Sequence, residues 1–483
     1  MEVLHNNAYD SKLSEYVSNE KAAVSLISSI GYLMYEKSVE LVLFRNPLVD
    51  QSISQVLNLH KKAKSIAFNP VDIFTTQKIG EELAKMDLAP SKLDIGRLAS
   101  EWLIEKNNFS SLTDFLGNKL ANFTSDKAAT LTPKDVVLFG FGRIGRLAAR
   151  ELVKQAGKGQ QLRLKAIVTR TVSKEETIKR AALLRNDSVH GMFSGTVEED
   201  LENNALIING QIVKLIEAKN PEDVDYTAYG IKDALLIDNT GAFTNREQLS
   251  RHLQAKGISK VLLTAPGKEV PNIVYGINED TLDLEKENIF TAASCTTNAI
   301  APILYVIENE LGVSKGHIET VHAYTNDQNL LDNFHKKPRR GRSAAINMVI
   351  TSTGAGSAVT KVIPSFKDKL TANAVPTPNG SLAILSLSVN KETSIEEVNE
   401  IIRKAALQGG LVNQIKYEND PELVSSDIIG NICCSVFDSN ATIVSTDKKN
   451  VVLYVWYDNE FGYTKQVIRL AKHVAKVKRL IYY

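Results

Sequence analysis

The sequence predicts an α/β protein: a Rossmann-type doubly wound parallel sheet, an α+β catalytic domain after it, and an all-α N-terminal extension before it. Three observations predict this. From residue 134 onward short apolar runs alternate with amphipathic segments, as strands and helices do in a parallel sheet covered on both faces. A glycine-rich turn, Gly140-Phe141-Gly142-Arg143-Ile144-Gly145, joins the first such run to the first such segment. The first ~130 residues, a domain of ordinary size, instead place apolar residues at three- and four-residue spacing.

Within that extension the spacing predicts helices over residues 21–35, 49–66, 71–86 and 92–105. Ser110, Ser111 and Asp114 offer caps for another helix running to about Phe123. Residues 124–133, with Ser125, Asp126, Thr130, Thr132 and Pro133, read as a linker. Strands are then expected at 135–139, 162–168, 234–238, 260–263 and 288–292, with helices at 143–155 and 245–256. A helix follows at 298–310, a one-sided strand at 381–389, a helix at 394–407 capped by Ser394, and a strand at 450–457. A helix over 464–477 closes the chain. The expected boundaries are 1–130 for the extension, 131–294 for the dinucleotide-binding domain and 295–462 for the catalytic domain. Residues 463–483 are expected as a helix returning to the nucleotide-binding domain.

The composition narrows the function classes. The 483 residues carry a formal net charge of +1, so nucleic acid and membrane surfaces have no electrostatic claim on the whole chain. Three cysteines form no disulfide framework and point to a reducing compartment. No apolar run approaches the ~20 residues a bilayer requires. Residues 1–20 lack the basic and apolar regions of a secretory signal. The expected location is the cytoplasm.

In the turn Gly140-x-Gly142-x-x-Gly145 the first glycine permits the sharp bend. The second admits a pyrophosphate, and the third lets helix and strand pack closely. The following helix, opening at Arg143 and Ile144, presents its N-terminus to phosphate. A carboxylate for the ribose 2′-hydroxyl is expected about 20 residues on. That stretch reads Val168-Thr169-Arg170-Thr171, with arginine where a 2′-phosphate would sit. NAD or NADP is the expected cofactor, with NADP tolerated.

Further along, Ala293-Ser294-Cys295-Thr296-Thr297-Asn298 places a thiol between an expected strand and an expected helix. A helix N-terminus lowers a thiol pKa, and a thiolate attacks carbonyl carbon readily. A nucleophilic thiol beside a nicotinamide site suggests aldehyde oxidation through a covalent thioester. Cys433 and Cys434 lack metal-ligand spacing and read as structural; no metal is expected.

Four motifs, in order, carry a resemblance. Phe141-Gly142-Arg143-Ile144-Gly145-Arg146, Asp187-Ser188-Val189-His190-Gly191, Ser294-Cys295-Thr296-Thr297-Asn298 and Tyr457-Asp458-Asn459-Glu460-Phe461-Gly462-Tyr463 resemble those of phosphorylating glyceraldehyde-3-phosphate dehydrogenases. The likeness runs from about residue 134 to the C-terminus, and the extension resembles that of a long bacterial form. The resemblance implies that Cys295 attacks the aldehyde and that His322, in Glu319-Thr320-Val321-His322-Ala323-Tyr324-Thr325, is its acid–base partner. It implies that Asn459 holds the nicotinamide carboxamide and that Thr240 and Gly241 line the nicotinamide ribose. Ser294, Thr296, Thr353 and Gly354 resemble the site of the attacking phosphate, and Thr325 and Arg342 match other phosphate-contact or neighbouring positions. Glyceraldehyde 3-phosphate and inorganic phosphate are the implied substrates, and a homotetramer the implied assembly.

Two departures stand out. The family's arginine before Val-Pro-Thr-Pro-Asn is absent, because Asn373-Ala374-Val375-Pro376-Thr377 reads two residues short. Asp327 stands where a second threonine is usual, and a carboxylate repels phosphate unless a cation intervenes. The cations in Lys336-Lys337-Pro338-Arg339-Arg340-Gly341-Arg342 could compensate from a loop near the cofactor or a subunit interface. The rival readings are an erythrose-4-phosphate dehydrogenase and a catalytically impaired regulatory or RNA-binding homologue.

Overall fold

The computed structural model describes residues 2–66, 71–126, 131–155, 159–325 and 327–483. They form two compact units: Met1–Thr132 with Gly157–Gln160 and Val477–Tyr483, and Pro133–Ala156 with Gln161–Lys476.

The first unit opens on a helix, Glu2–Lys37, that starts well before the expected residue 21. Residues 8–18 are exposed on every side, so no apolar stripe marks them in the sequence. The second half buries Ala23, Leu26, Ile30 and Leu33 against the helices Ile53–Ile66, Ile73–Lys85 and Ile95–Glu105. The extension is not all-α. It contains a four-stranded sheet in the order Asn46–Pro47, Val39–Leu43, Ser91–Asp94, Leu480–Tyr482. The last three strands are parallel. They are too short to display a period of two, and one comes from the opposite end of the chain. The helix expected from residue 92 begins instead at Ile95, because Asp94 ends the strand and caps the helix. Its buried carboxylate accepts the N–H groups of Gly96 and Arg97 at 3.0 and 3.1 Å and those of Phe44 and Arg45 at 2.8 and 3.0 Å. The centre of the expected linker, residues 127–130, lies outside the described residues.

In the second unit six parallel strands run in the order Ile289–Thr291, Ile258–Leu263, Ala234–Asp238, Lys134–Phe139, Leu162–Thr169, Gln211–Glu217. The first and fourth of these strands in chain order, Lys134–Phe139 and Ala234–Asp238, are neighbours, the switch point at which such sheets hold ligands. Antiparallel strands Ala205–Ile208 and Val197–Asp200 extend one edge. The periodicity reading missed them and Gln211–Glu217.

The catalytic half is the expected α+β arrangement. Its mixed sheet runs Thr351–Ser352, Leu370–Thr377, Val313–Ala323, Ser381–Val389, Asn450–Tyr457, Ser435–Asp438, Ile415–Glu418. The helix Cys295–Leu311 buries Ile300, Ile303, Leu304 and Ile307 in one core with Leu385 and Leu453 of that sheet. Residues 463–483, expected as one closing helix, divide. The helix is Phe461–Val474, tied to the helix Arg143–Lys154 by Lys465–Glu151 at 2.5 Å. The last seven residues belong to the first unit.

Candidate active site

Cys295 is the first residue of its helix, one position beyond the capping Ser294, whose Oγ accepts the Thr297 N–H at 3.0 Å. Ala293 takes a left-handed φ of 55°, a conformation that costs a non-glycine residue about 1 kcal/mol or more. Three bonds hold the strained turn. Ala293 N–H donates to Thr291 Oγ1 at 3.0 Å, Tyr463 OH donates to the Ala293 carbonyl at 3.0 Å, and Asn298 Nδ2 donates to the Ala292 carbonyl at 2.8 Å. Cys295 is half-buried at the end of this turn.

His322 lies near the end of the strand Val313–Ala323. Its Nε2 is 3.5 Å from Cys295 Sγ. Its Nδ1 lies 2.7 Å from the Ala323 carbonyl, which can only accept, so Nδ1 carries a proton and Nε2 faces sulfur. Burial pushes the Cys295 thiol up, but the hydrogen bond and charge of His322, with donation from Thr296, bring it below its ordinary value. Burial pulls His322 down, and the hydrogen bond and charge of Cys295 raise it above its ordinary value. Both directions favour a thiolate–imidazolium pair. Tyr457 sets its ring edge-on to His322 at 5.7 Å and its hydroxyl 3.2 Å from Thr296 Oγ1.

A pocket of about 400 Å³ opens beside this pair. Ser294, Thr296, Thr325, Thr353 and Gly354 all line it, together with His322. Arg342 does not line it; its guanidinium pairs with Asp332 at 2.9 Å and is largely exposed. Arg340 lines the pocket instead, from the short helix Pro338–Gly341, and its Nη1 pairs with Asp327. The Asp327 carboxylate thus meets a cation, as its neighbourhood of basic residues allowed. The strand Leu370–Thr377 pairs with Val313–Ala323 in unbroken register, Gly316 to Leu370 through His322 to Pro376. Nothing bulges at the shortened segment, and Ala374, Val375 and Pro376 form an apolar wall there.

The glycine turn meets the demands of a dinucleotide. Gly140 has a φ of +91°. A Cβ on Gly145 would lie 2.5 Å from the Gly140 carbonyl oxygen, so helix and turn touch only through glycine. A Cβ on Gly142 would meet nothing within 4 Å, which leaves that face open to a ligand. Ile144 follows in the first turn of the helix Arg143–Lys154. Thr240 packs its methyl toward Gly140, and Gly241 turns with a φ of +65°. Arg170 is exposed one residue beyond the strand Leu162–Thr169 and forms no ion pair among the described residues. Glu217, in register with Thr169, accepts the Val172 N–H at 3.2 Å.

Arg143 spends its guanidinium inside the protein. It reaches Asp187 with two bonds at 3.1 Å and Glu460 with two at 2.5 Å. His190 Nε2 is 2.8 Å from Asp458 Oδ2, whose Oδ1 takes the N–H groups of Glu460 and Phe461. The glycine turn is thereby fastened to the loop that carries Asn459. Ser381 Oγ donates to Asn459 Oδ1 at 3.3 Å and accepts the Ala323 N–H at 3.0 Å, joining that loop to the His322 strand.

Residues 134–246 match the profile "Glyceraldehyde 3-phosphate dehydrogenase, NAD binding domain", and residues 294–459 match "Glyceraldehyde 3-phosphate dehydrogenase, C-terminal domain". A glyceraldehyde-3-phosphate dehydrogenase-like protein of Pseudomonas aeruginosa (strain UCBPP-PA14) is 44% identical over 458 residues, 94% of this chain and 98% of that protein. The chain belongs to the glyceraldehyde-3-phosphate dehydrogenase family. Two more relatives bear that enzyme's name. The one from Priestia megaterium is 39% identical over 70% of this chain and 96% of its own length. The one from Geobacillus stearothermophilus has the same identity and coverages. Coverage of 94% against 70% means that the Pseudomonas protein shares most of the extension and that these two do not.

As a glyceraldehyde-3-phosphate dehydrogenase family member the chain is an oxidoreductase with an NAD binding domain. No helix among its described residues is long and apolar enough to cross a membrane. Sequence reasoning singled out Arg342 and passed over Arg340, two positions away in the same basic run. It also passed over Ser381 and Tyr457, although Tyr457 opens one of the quoted motifs.

Proposed function

We propose that the protein oxidises D-glyceraldehyde 3-phosphate to 1,3-bisphosphoglycerate with NAD, tolerating NADP, through a thioester on Cys295. The observation that carries this reading is the 3.5 Å approach of Cys295 Sγ to His322 Nε2 beside a hydroxyl-lined pocket. The Cys295 thiolate attacks the aldehyde carbon, and the Nε2 proton of His322 supports the oxygen that becomes a hydroxyl. His322 takes that proton back as the hydroxyl reforms a carbonyl. A bound nicotinamide supplies the acceptor for the hydride lost in that step, which leaves an acyl thioester. Phosphate oxygen then attacks the acyl carbon and the Cys295 thiolate leaves.

Gly140, Gly142, Gly145 and the helix start at Arg143 and Ile144 would hold the cofactor's pyrophosphate. Thr240 and Gly241 would line its ribose, and Asn459 its carboxamide, an amide that both donates and accepts. Arg143 acts through Asp187 and Glu460 rather than by direct contact. Ser294, Thr296, Thr353 and Gly354 would receive the attacking phosphate. Gly354 opens the helix Ala355–Val362; the Ala355 N–H donates to Thr353 Oγ1 at 3.3 Å, and the N–H groups that follow it favour an anion. Thr325 and Arg340 line the same pocket.

Assembly as a homotetramer is part of the proposal. Leu330, Leu331, Phe334, Ile346 and Met348 are each more than two-thirds exposed in one loop region, an apolar surface suited to another copy of the chain. Light scattering on the purified protein tests it. The reaction is tested by nicotinamide reduction with glyceraldehyde 3-phosphate and with erythrose 4-phosphate, each with and without inorganic phosphate. Turnover on the three-carbon aldehyde that requires phosphate supports the reading. Preference for the four-carbon sugar, or cofactor binding without reduction, overturns it.

A further inference from the structure

The pocket beside Cys295 has an unusual charge inventory. Among the described residues its lining includes seven hydroxyl side chains and two fixed cations, Arg340 and Lys361, and no carboxylate. A substrate phosphate and an attacking phosphate together bring three to four negative charges at neutral pH. The wall formed by Ala374, Val375 and Pro376 contributes no cation, and its unbroken register with residues 320–322 leaves no bulge from which an extra side chain could enter. Arg340 is already engaged, since its guanidinium pairs with Asp327, which also lies 3.3 Å from His335 Nε2.

Lys361 differs in each respect. It stands on the helix Ala355–Val362, where Ala355, Ala358 and Lys361 follow one another at three-residue spacing and all line the pocket. It forms no ion pair among the described residues. Its Nζ meets only the Gly267 carbonyl, at 3.4 Å, a long and neutral contact that a phosphate oxygen would outcompete.

We propose that Lys361 is the specificity-determining cation of this pocket, holding the terminal phosphate of the aldehyde substrate in place of an arginine on the strand Leu370–Thr377. This deepens the proposed function and rests on it. The ligand class is a short aldehyde ending in a phosphate dianion. An ammonium on a flexible stem recognises charge rather than a planar fork, so it suits a terminal group whose distance from the reacting carbon is set elsewhere.

The test compares the full-length protein with K361M and K361R on two substrates, glyceraldehyde 3-phosphate and unphosphorylated glyceraldehyde. K361M is expected to lower kcat/KM for the phosphorylated aldehyde by about 10- to 100-fold more than for glyceraldehyde, the usual worth of a charge-assisted bond. The loss should fall in KM for the aldehyde, with K361R restoring most of it. A second readout needs no turnover: glycerol 3-phosphate should slow alkylation of Cys295 in the wild type and do so at least about 10-fold less effectively in K361M. Equal losses on both aldehydes, or a loss confined to KM for inorganic phosphate, would overturn the assignment. A wild type that reduces no nicotinamide with either aldehyde would sink the proposed function. Even then, glycerol 3-phosphate protection that depends on Lys361 would uphold the anion site, and protection that does not would remove it.

Discussion

Replacing His322 with asparagine isolates what the imidazole does to the thiol. Two influences act on Cys295: burial, which is the larger single one and pushes its pKa up, and the His322 contact with Thr296 donation, which together pull it down. Asparagine leaves the first and removes most of the second. An ordinary thiol titrates near ~8.5 and is about 3% ionised at pH 7. Pairing with His322 holds the thiol below its ordinary value, so H322N should lower the rate of alkylation by iodoacetamide at pH 7, by up to about 30-fold, the ratio between a fully ionised thiol and an ordinary one. The rate is measured from pH 5 to 10, by mass spectrometry of the Cys295 peptide so that the buried Cys433 and Cys434 do not contribute. The wild-type midpoint should lie below the ordinary thiol value, and the variant's at or above it. Midpoints that coincide within about half a unit would refute the ion pair. Turnover should fall by about 10²–10⁴-fold in the same variant, the usual worth of a placed acid–base group.

Other expectations test the cofactor side. R170D should shift preference from NADP toward NAD, since Arg170 is exposed at the strand end where a 2′-phosphate would lie; an unchanged ratio of kcat/KM values would place recognition elsewhere. G145A must push its new methyl against the Gly140 carbonyl oxygen, 2.5 Å away, and should cost about 1–3 kcal/mol in urea unfolding together with weaker NAD binding. H190Q should destabilise by about 1–3 kcal/mol at pH 6. Burial pulls His190 down, but Asp458, Glu460 and Asp187 raise it above its ordinary value overall. Its protonated form therefore stabilises the fold below about pH 6.5, and that contribution fades as pH rises through the raised pKa. The difference in Tm between wild type and H190Q should shrink from pH 6 to pH 9, and a constant difference would count against a charged His190.

Long-period signals survived the passage from sequence to structure. The alternation from residue 134 and the glycine turn give the doubly wound sheet, because buried parallel strands must be apolar and a pyrophosphate loop must lack side chains. The pairing of Cys295 with His322 was legible only through motif resemblance, since 27 positions separate them and the two lie on different elements. What stayed hidden depended on distant partners. Leu480–Tyr482 shows no strand pattern until Ser91–Asp94 lies beside it. Arg340 and Arg342 are equivalent by composition, and only the turn at Pro338–Gly341 decides which one enters the pocket. Ser381 reads as an ordinary strand residue until Asn459 and the Ala323 amide meet it.

The strand Leu480–Tyr482 also sets an order of events in the cell. Its partner Ser91–Asp94 leaves the ribosome nearly four hundred residues earlier, a wait on the order of half a minute or more at ordinary rates of synthesis. During that interval the N-terminal sheet keeps a bare edge, a surface prone to wrong pairing. The N-terminal sheet is thus completed late, and nascent chains halted before Leu480 should be bound by chaperones through that edge.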